Sequence, residues 1–147
     1  MISLLNVTFK HLAVRMTGFN KAFSYNVKNA ITGIHPELKI DYSMVLLSRG
    51  DLPNVGSPAV MVSEGKLMFT WTDNSGKGQA HGSDKAFVAA YCEDLNNWKA
   101  MMDVALRSDG SCGFDLNDFA GKTVHTYIGF ISEDGKNVAD SLYTGLV

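Results

Sequence analysis

The apolar residues of this chain change their period once, just past His35-Pro36, and that switch constrains the fold more than any other feature. Upstream, Leu5, Phe9, Leu12, Met16, Phe19, Phe23, Val27 and Ile31 recur every three or four residues, the spacing of one helical face. Thr17-Gly18 interrupts the pattern. Thr17 suits an N-cap and glycine inside a helix costs about 1 kcal/mol, so two helices or one kinked helix both fit. Gly33 is the expected C-cap and Pro36 forbids continuation.

From residue 38 onward apolar and polar residues alternate between turn signals, the pattern of short strands. Strands are expected at Tyr42–Ser48, Ala59–Ser63, Lys66–Thr72, Lys85–Cys92, Trp98–Leu106, Cys112–Leu116, Thr123–Ser132 and Leu142–Val147. In the third of these, Leu67, Phe69 and Trp71 share one face and Lys66, Met68 and Thr70 the other, as in a sheet with one buried side. So many short strands in so short a stretch predict a Greek-key sandwich. The fold class is therefore α+β, with a helical segment over residues 1–35 and a β-sandwich over 38–147. Trp71, Phe69, Phe87, Tyr91, Phe114 and Tyr127 are the expected aromatic core.

Charge follows the same division. Residues 1–36 hold Lys10, Arg15, Lys21 and Lys28 and no carboxylate, a net +4, and the remainder holds nine basic and fifteen acidic residues, a net −6. The whole chain is thus near neutral at −2, and 46% of its residues are apolar. Disorder throughout is excluded. A chain of this size buries roughly 68–70% of its unfolded surface, so its core needs neither a disulfide nor a metal. Cys92 and Cys112 are expected as free thiols, with a bond between them left open. No apolar run approaches the ~20 residues of a membrane span, and the first ten residues lack the features of a secretory signal, so a cytoplasmic address is the default expectation.

Chemistry-bearing motifs are sparse. His11, His35, His81 and His125 show no metal-ligand spacing, and no Walker sequence, nucleophile elbow or dinucleotide fingerprint occurs. Asp73-Asn74-Ser75-Gly76 lacks the remaining ligands of a calcium loop and reads as turn chemistry. Glu133-Asp134-Gly135-Lys136 reads as a hairpin turn. Arg49-Gly50-Asp51 and Asn6-Val7-Thr8 are short enough to be incidental. No metal, cofactor or catalytic residue is predicted; an enzyme would need a deep pocket placing His125 beside a cysteine or carboxylate.

The order Leu67-x-Phe-x-Trp71, Ala86-Phe-Val-x-x-Tyr91, Leu116 to Gly121, Tyr127-Ile-Gly-Phe130, Asp134-Gly-Lys and Ser141-x-Tyr resembles a fibronectin type III-like, or immunoglobulin-like, domain. Asn29-Ala-Ile, Ile40-Asp-Tyr-Ser43, Trp71-Thr-Asp-Asn-Ser-Gly76 and Tyr127-Ile-Gly-Phe-Ile-Ser-Glu-Asp-Gly-Lys136 resemble a family of uncharacterised bacterial proteins. That resemblance implies no activity and supplies no catalytic residues.

The functional expectation is a non-catalytic structural or protein-interaction module. Its contacts are expected on the stripe Phe9, Leu12, Met16, Phe19 and Phe23, on the loop with Asp73, Asn74 and Lys77, on Trp98, and on the turn with Glu133, Asp134 and Lys136. The stripe can dock on the sandwich, self-associate, or touch nucleic acid, for which four cations make a thin footprint; no nucleic-acid partner is expected. The alternative is a sandwich that binds a glycan or other polymer through Trp98 or the loops near Asp73 and His81.

Overall fold

The computed structural model describes all 147 residues. Two helices, α1 (Ile2–Thr8) and α2 (Gly18–Asn29), precede nine strands: β1 (Ile31–Ile34), β2 (Glu37–Ile40), β3 (Gly56–Ser63), β4 (Lys66–Thr72), β5 (Lys85–Cys92), β6 (Asn97–Leu106), β7 (Ser111–Asp115), β8 (His125–Ile131) and β9 (Leu142–Leu146). All strand pairings are antiparallel, so the chain is α+β. The sheets run β1-β2, β3-β4-β7 and β6-β5-β8-β9. No helix is long and apolar enough to cross a membrane.

The two larger sheets share one core. Leu67, Phe69 and Trp71 of β4 and Phe114 of β7 meet Ala86, Val88 and Ala90 of β5 and Ile128 and Phe130 of β8. The alternation expected for β4 holds, with Leu67, Phe69 and Trp71 buried. The turn before it, Glu64-Gly65, has both residues at positive φ (51° and 76°), the backbone a tight two-residue hairpin requires.

Strands β5 and β8 are buried on both faces, which explains why they read as apolar runs instead of alternating ones. Their second face carries Phe87, Ala89, Tyr127 and Ile131, packed against Leu4, Leu5 and Phe9 of the α1 region, Ala22 of α2, Leu47 and Val138. The expected aromatic core is thus divided: Phe69, Trp71 and Phe114 lie between the sheets, while Phe87 and Tyr127 lie under the helices. Gly129 sits opposite Phe87 in the β5–β8 register. A Cβ there would fall 2.3 Å from the Phe87 ring, and that ring is fully buried.

Of the two arrangements the pattern allows, the N-terminal part takes two helices: α1 ends at Thr8, a short 3₁₀ turn follows over Lys10–Leu12, and α2 starts afresh at Gly18. Thr17 caps it through its side-chain oxygen, which accepts from the Asn20 amide at 3.1 Å. Gly18 is needed because a Cβ would lie 2.7 Å from the Leu5 carbonyl oxygen and 2.8 Å from Asn6 Cα: the two helices cross backbone to backbone here. The helix ends at Asn29, before the expected cap at Gly33, and Ile31–Ile34 turns through a cis His35-Pro36 bond to pair with Glu37–Ile40. The β-branched pair Ile31-Thr32 favours strand over helix, so the change of secondary structure comes upstream of the proline. Finally, Tyr42–Ser48 is not a strand but a 3₁₀ turn over Tyr42–Met44 and an extended connection. Its polar groups are taken by side chains: the Leu47 amide donates to Ser141 Oγ, the Leu46 amide to Asn26 Oδ1, and Ser48 Oγ donates to the Ala139 carbonyl.

Cys92 and Cys112 are free and buried, and burial pushes the Cys112 thiol up to about 11. Reaction of the native protein with a thiol reagent at neutral pH is therefore expected to be slow, with two thiols titrating at once after unfolding without prior reduction; fast native labelling of Cys112 would contradict the packing. Gly129→Ala is expected to cost about 1–3 kcal/mol by overpacking against Phe87, read from chemical denaturation, whereas an unchanged midpoint would show that the ring gives way freely.

Candidate functional site

The sequence-predicted contact residues separate into three places. On the helical part, Phe9 is fully buried in the layer beneath the helices, and Leu12 and Phe19 are half-buried against it. Met16 and Phe23 point outward, with Phe23 63% exposed. The buried face of α2 is carried by Gly18 and Ala22, with Asn26 Nδ2 donating to the Leu46 carbonyl. Small residues on that side let α2 lie close to α1, and this turns Phe23 and Val27 toward solvent.

The β1–β2 hairpin that follows α2 also exposes apolar residues. There the register pairs Ile31 with Ile40 and Gly33 with Leu38, so alternation puts Ile31, Leu38 and Ile40 on one face. Every residue of both strands is exposed. The base is closed by the Asp41 amide donating to the Ala30 carbonyl at 2.7 Å.

Trp98 is half-buried and packed, its ring 4.7 Å from Tyr91 and 5.7 Å from Tyr127. It joins an aromatic group around His125, which stacks on Tyr42 with ring centroids 4.0 Å apart. His125 Nε2 lies 2.7 Å from Glu93 Oε1 and Nδ1 lies 2.9 Å from the Tyr143 hydroxyl. Burial raises the Tyr42 hydroxyl well above the usual phenol range, aided by the neighbouring Tyr91 whose ring stacks on it, and burial likewise raises Tyr127. The carboxylate partner that acid–base chemistry at His125 would need is present, but none of the four main clefts is lined by His125.

The third place is built around a residue that sequence reasoning missed. Arg107 follows β6 and is fully buried beside Asp84, which precedes β5 and is 1% exposed. Its Nε donates to Asp84 Oδ2 at 2.9 Å, Nη1 to Asn74 Oδ1 at 2.7 Å and Nη2 to the Pro53 carbonyl at 2.7 Å. Its guanidinium carbon stands 4.9 Å from the Phe130 ring centroid, and its carbonyl accepts from Trp71 Nε1 at 2.8 Å. One side chain thus ties together the β4–β5 loop, the end of the β5–β6 hairpin and the connection before β3. The signal was available in part: the register pairs Lys85 with Leu106, which sets Asp84 and Arg107 opposite each other one step beyond.

Beside this node opens a polar cleft of about 580 Å³ whose lining includes His81, Ser83, Asp84, Glu133, Asp134 and Asn137. The Asp134 carboxylate accepts from Ser132 Oγ at 2.6 Å and from the Lys136 amide at 3.0 Å, and these bonds hold it below the usual carboxylate range. Asp73 is lowered in the same way by the Ser75 amide. The predicted loops therefore meet: Asn74 braces Arg107 behind the cleft, while Glu133 and Asp134 form a wall. Lys77 is exposed beyond it, and Lys136 lines a neighbouring groove with Lys10 and His11.

The model of a family of unknown function, DUF6266, matches residues 1–145, and the chain belongs to that family. No curated protein and no solved structure matches it. The Arg107 node is open to a direct test of stability. Replacing Arg107 by Met leaves Asp84 buried without its counter-ion, so a loss of about 3–5 kcal/mol is expected, seen as a melting temperature lower by roughly 10 °C. A change within 1 °C would show that the pair is not needed.

Proposed function

We propose that this protein is a non-catalytic structural module that associates with further copies of itself, built on an immunoglobulin/fibronectin type III-like β-sandwich. The fibronectin-like reading is supported by strand order. Three strands, β3-β4-β7, face four, β6-β5-β8-β9. The fourth strand belongs to the sheet of β5 and β8, whereas in a constant-type immunoglobulin domain it belongs to the other sheet.

The observation that carries the functional reading is the uncovered apolar surface of α2 and the β1–β2 hairpin. Phe23 is 63% and Leu38 52% exposed, and Val27, Ile31 and Ile40 are exposed as well. A two-stranded hairpin alone is marginal in water and gains stability when its apolar face is covered. Charge favours a second copy as the cover. Lys21 and Lys28 belong to α2, in a segment that holds no carboxylate up to residue 36, and the chain beyond residue 36 is net −6. Edge strand β6 offers the complement, exposing Met101, Met102 and Leu106 beside Asp109 and beside Asp103, which pairs with Lys85 at 3.9 Å. A basic apolar patch meeting an acidic apolar edge is a head-to-tail contact, which builds rings or filaments rather than a two-fold dimer. The polymer-binding alternative has less support, since Trp98 is engaged with Tyr91 and Tyr127 rather than free as a platform.

Light scattering across a concentration series tests the proposal. The wild type is expected to exceed the 16.0 kDa of a single chain and to lose mass as salt rises, because screening weakens the charged part of the contact. Phe23→Asp, at a solvent-facing position, is expected to give a folded monomer. A wild type that stays monomeric up to millimolar concentration, or a Phe23→Asp variant that associates equally, would overturn it.

A further inference from the structure

We propose that the groove between the end of α1 and the turn that follows β8 binds a phosphate monoester. Its walls come from residues 6–11 and 135–138, and its volume is about 640 Å³. None of these residues belongs to α2 or the β1–β2 hairpin, so the site is independent of the association surface above.

The side chains that line it offer donors and no open acceptor. Lys10 and Lys136 reach the groove from opposite ends of the sequence, and neither they nor His11 takes part in an ion pair. Asn6 Oδ1 accepts from the Phe19 amide at 2.9 Å, which orients the side-chain amide and leaves its Nδ2 as a further donor. No carboxylate lines the groove. Asp134, two residues from Lys136, spends its carboxylate on Ser132 Oγ and the Lys136 amide, and Asp51 and Asp140 line an adjoining groove with Arg49. A concave surface with charge of one sign and no internal counter-charge concentrates anions.

Both walls are anchored from beneath. Thr8 and Phe9 are fully buried, with Thr8 Oγ1 donating to the Leu47 carbonyl at 2.6 Å, so Lys10 and His11 leave a fixed backbone. On the other wall Val138 is buried, and the Asn137 amide donates to Ser132 Oγ at 2.9 Å to close the turn. Walls set in advance lose little freedom on binding. Two ammonium groups and an imidazole suit a dianion better than a single carboxylate, and a phosphate monoester carries close to two negative charges at neutral pH, on three strong acceptor oxygens. Val7 and Val138 give an organic substituent apolar surface to rest on, and the volume is that of a small-molecule site.

Titration of the isotopically labelled full chain, followed by amide NMR at neutral pH, tests this. The probes are phenyl phosphate and inorganic phosphate, with benzoate and benzylamine as comparators. Saturable shifts at residues 6–11 and 135–138 are expected with phenyl phosphate, at a dissociation constant of about 1 mM, and weaker ones with inorganic phosphate, which lacks the apolar part. Lys10→Gln and Lys136→Gln alter exposed residues, and each is expected to weaken binding about fivefold, the loss of one exposed charge pair; the rest of each spectrum shows that the variant is folded. Sedimentation with vesicles of phosphatidylcholine and phosphatidic acid separates the sources of the ester. Co-sedimentation that Lys136→Gln abolishes assigns it to a lipid head group, and shifts with phenyl phosphate without co-sedimentation assign it to a free ester. Silence of these amides, shifts spread equally over the lysines of α2, an equal response to benzoate or benzylamine, or an affinity unchanged in either variant would overturn the site.

Discussion

A charge enclosed by protein has to be answered from every direction, and Arg107 is answered by three segments far apart in sequence. Asp84 supplies the counter-charge, Asn74 and the Pro53 carbonyl accept the remaining hydrogen bonds, and the Phe130 ring closes one side. Desolvating an ion pair is expensive, so the gain over a well-packed apolar alternative is small. What the pair provides is registration. The loops at this end of the two sheets converge on one guanidinium, and the cleft keeps its shape because its floor is fastened to the core.

The second organising constraint is that β5 and β8 have no solvent face. A two-layer protein would leave Phe87, Tyr127 and Ile131 in water, but here the helices and the 45–48 connection form a third layer over them. The basic N-terminal part is therefore continuous with the core, through Leu4, Leu5, Phe9 and Ala22. It leaves bare the opposite side of α2 and the hairpin, together with Val14 and Met16 of the connection between the helices. One packing decision, the close crossing of α1 and α2 at Gly18, both completes the third layer and sets Phe23 outside it.

How much of this was legible differs along the chain. Strand β5 was read at Lys85–Cys92 with its observed bounds, and β4 with its buried face, because period-two patterning and turn residues act locally. Before residue 48, distant partners decide between arrangements that the local pattern leaves open. Helical spacing from Leu5 to Ile31 is satisfied by several helix–turn arrangements, and only the backbone contact at Gly18 selects one. Tyr42–Ser48 has strand composition, yet Asn26, Ser141 and the Ala139 carbonyl, all remote in sequence, take up its polar groups. The loop residues Asp73, Asn74, Glu133 and Asp134 were recognised as turn chemistry. That Asn74 braces a buried arginine beside the wall formed by Glu133 and Asp134 follows only once the β5–β6 register sets Asp84 against Arg107.

The hairpin leaves and re-enters the body of the protein at almost the same point, where the Asp41 amide meets the Ala30 carbonyl. An excursion closed at its stem in this way is free to vary in length at its far end, since added residues alter only a loop-closure entropy that grows slowly. A longer or shorter arm thus leaves the trunk unchanged, because everything that packs lies on the near side of the stem.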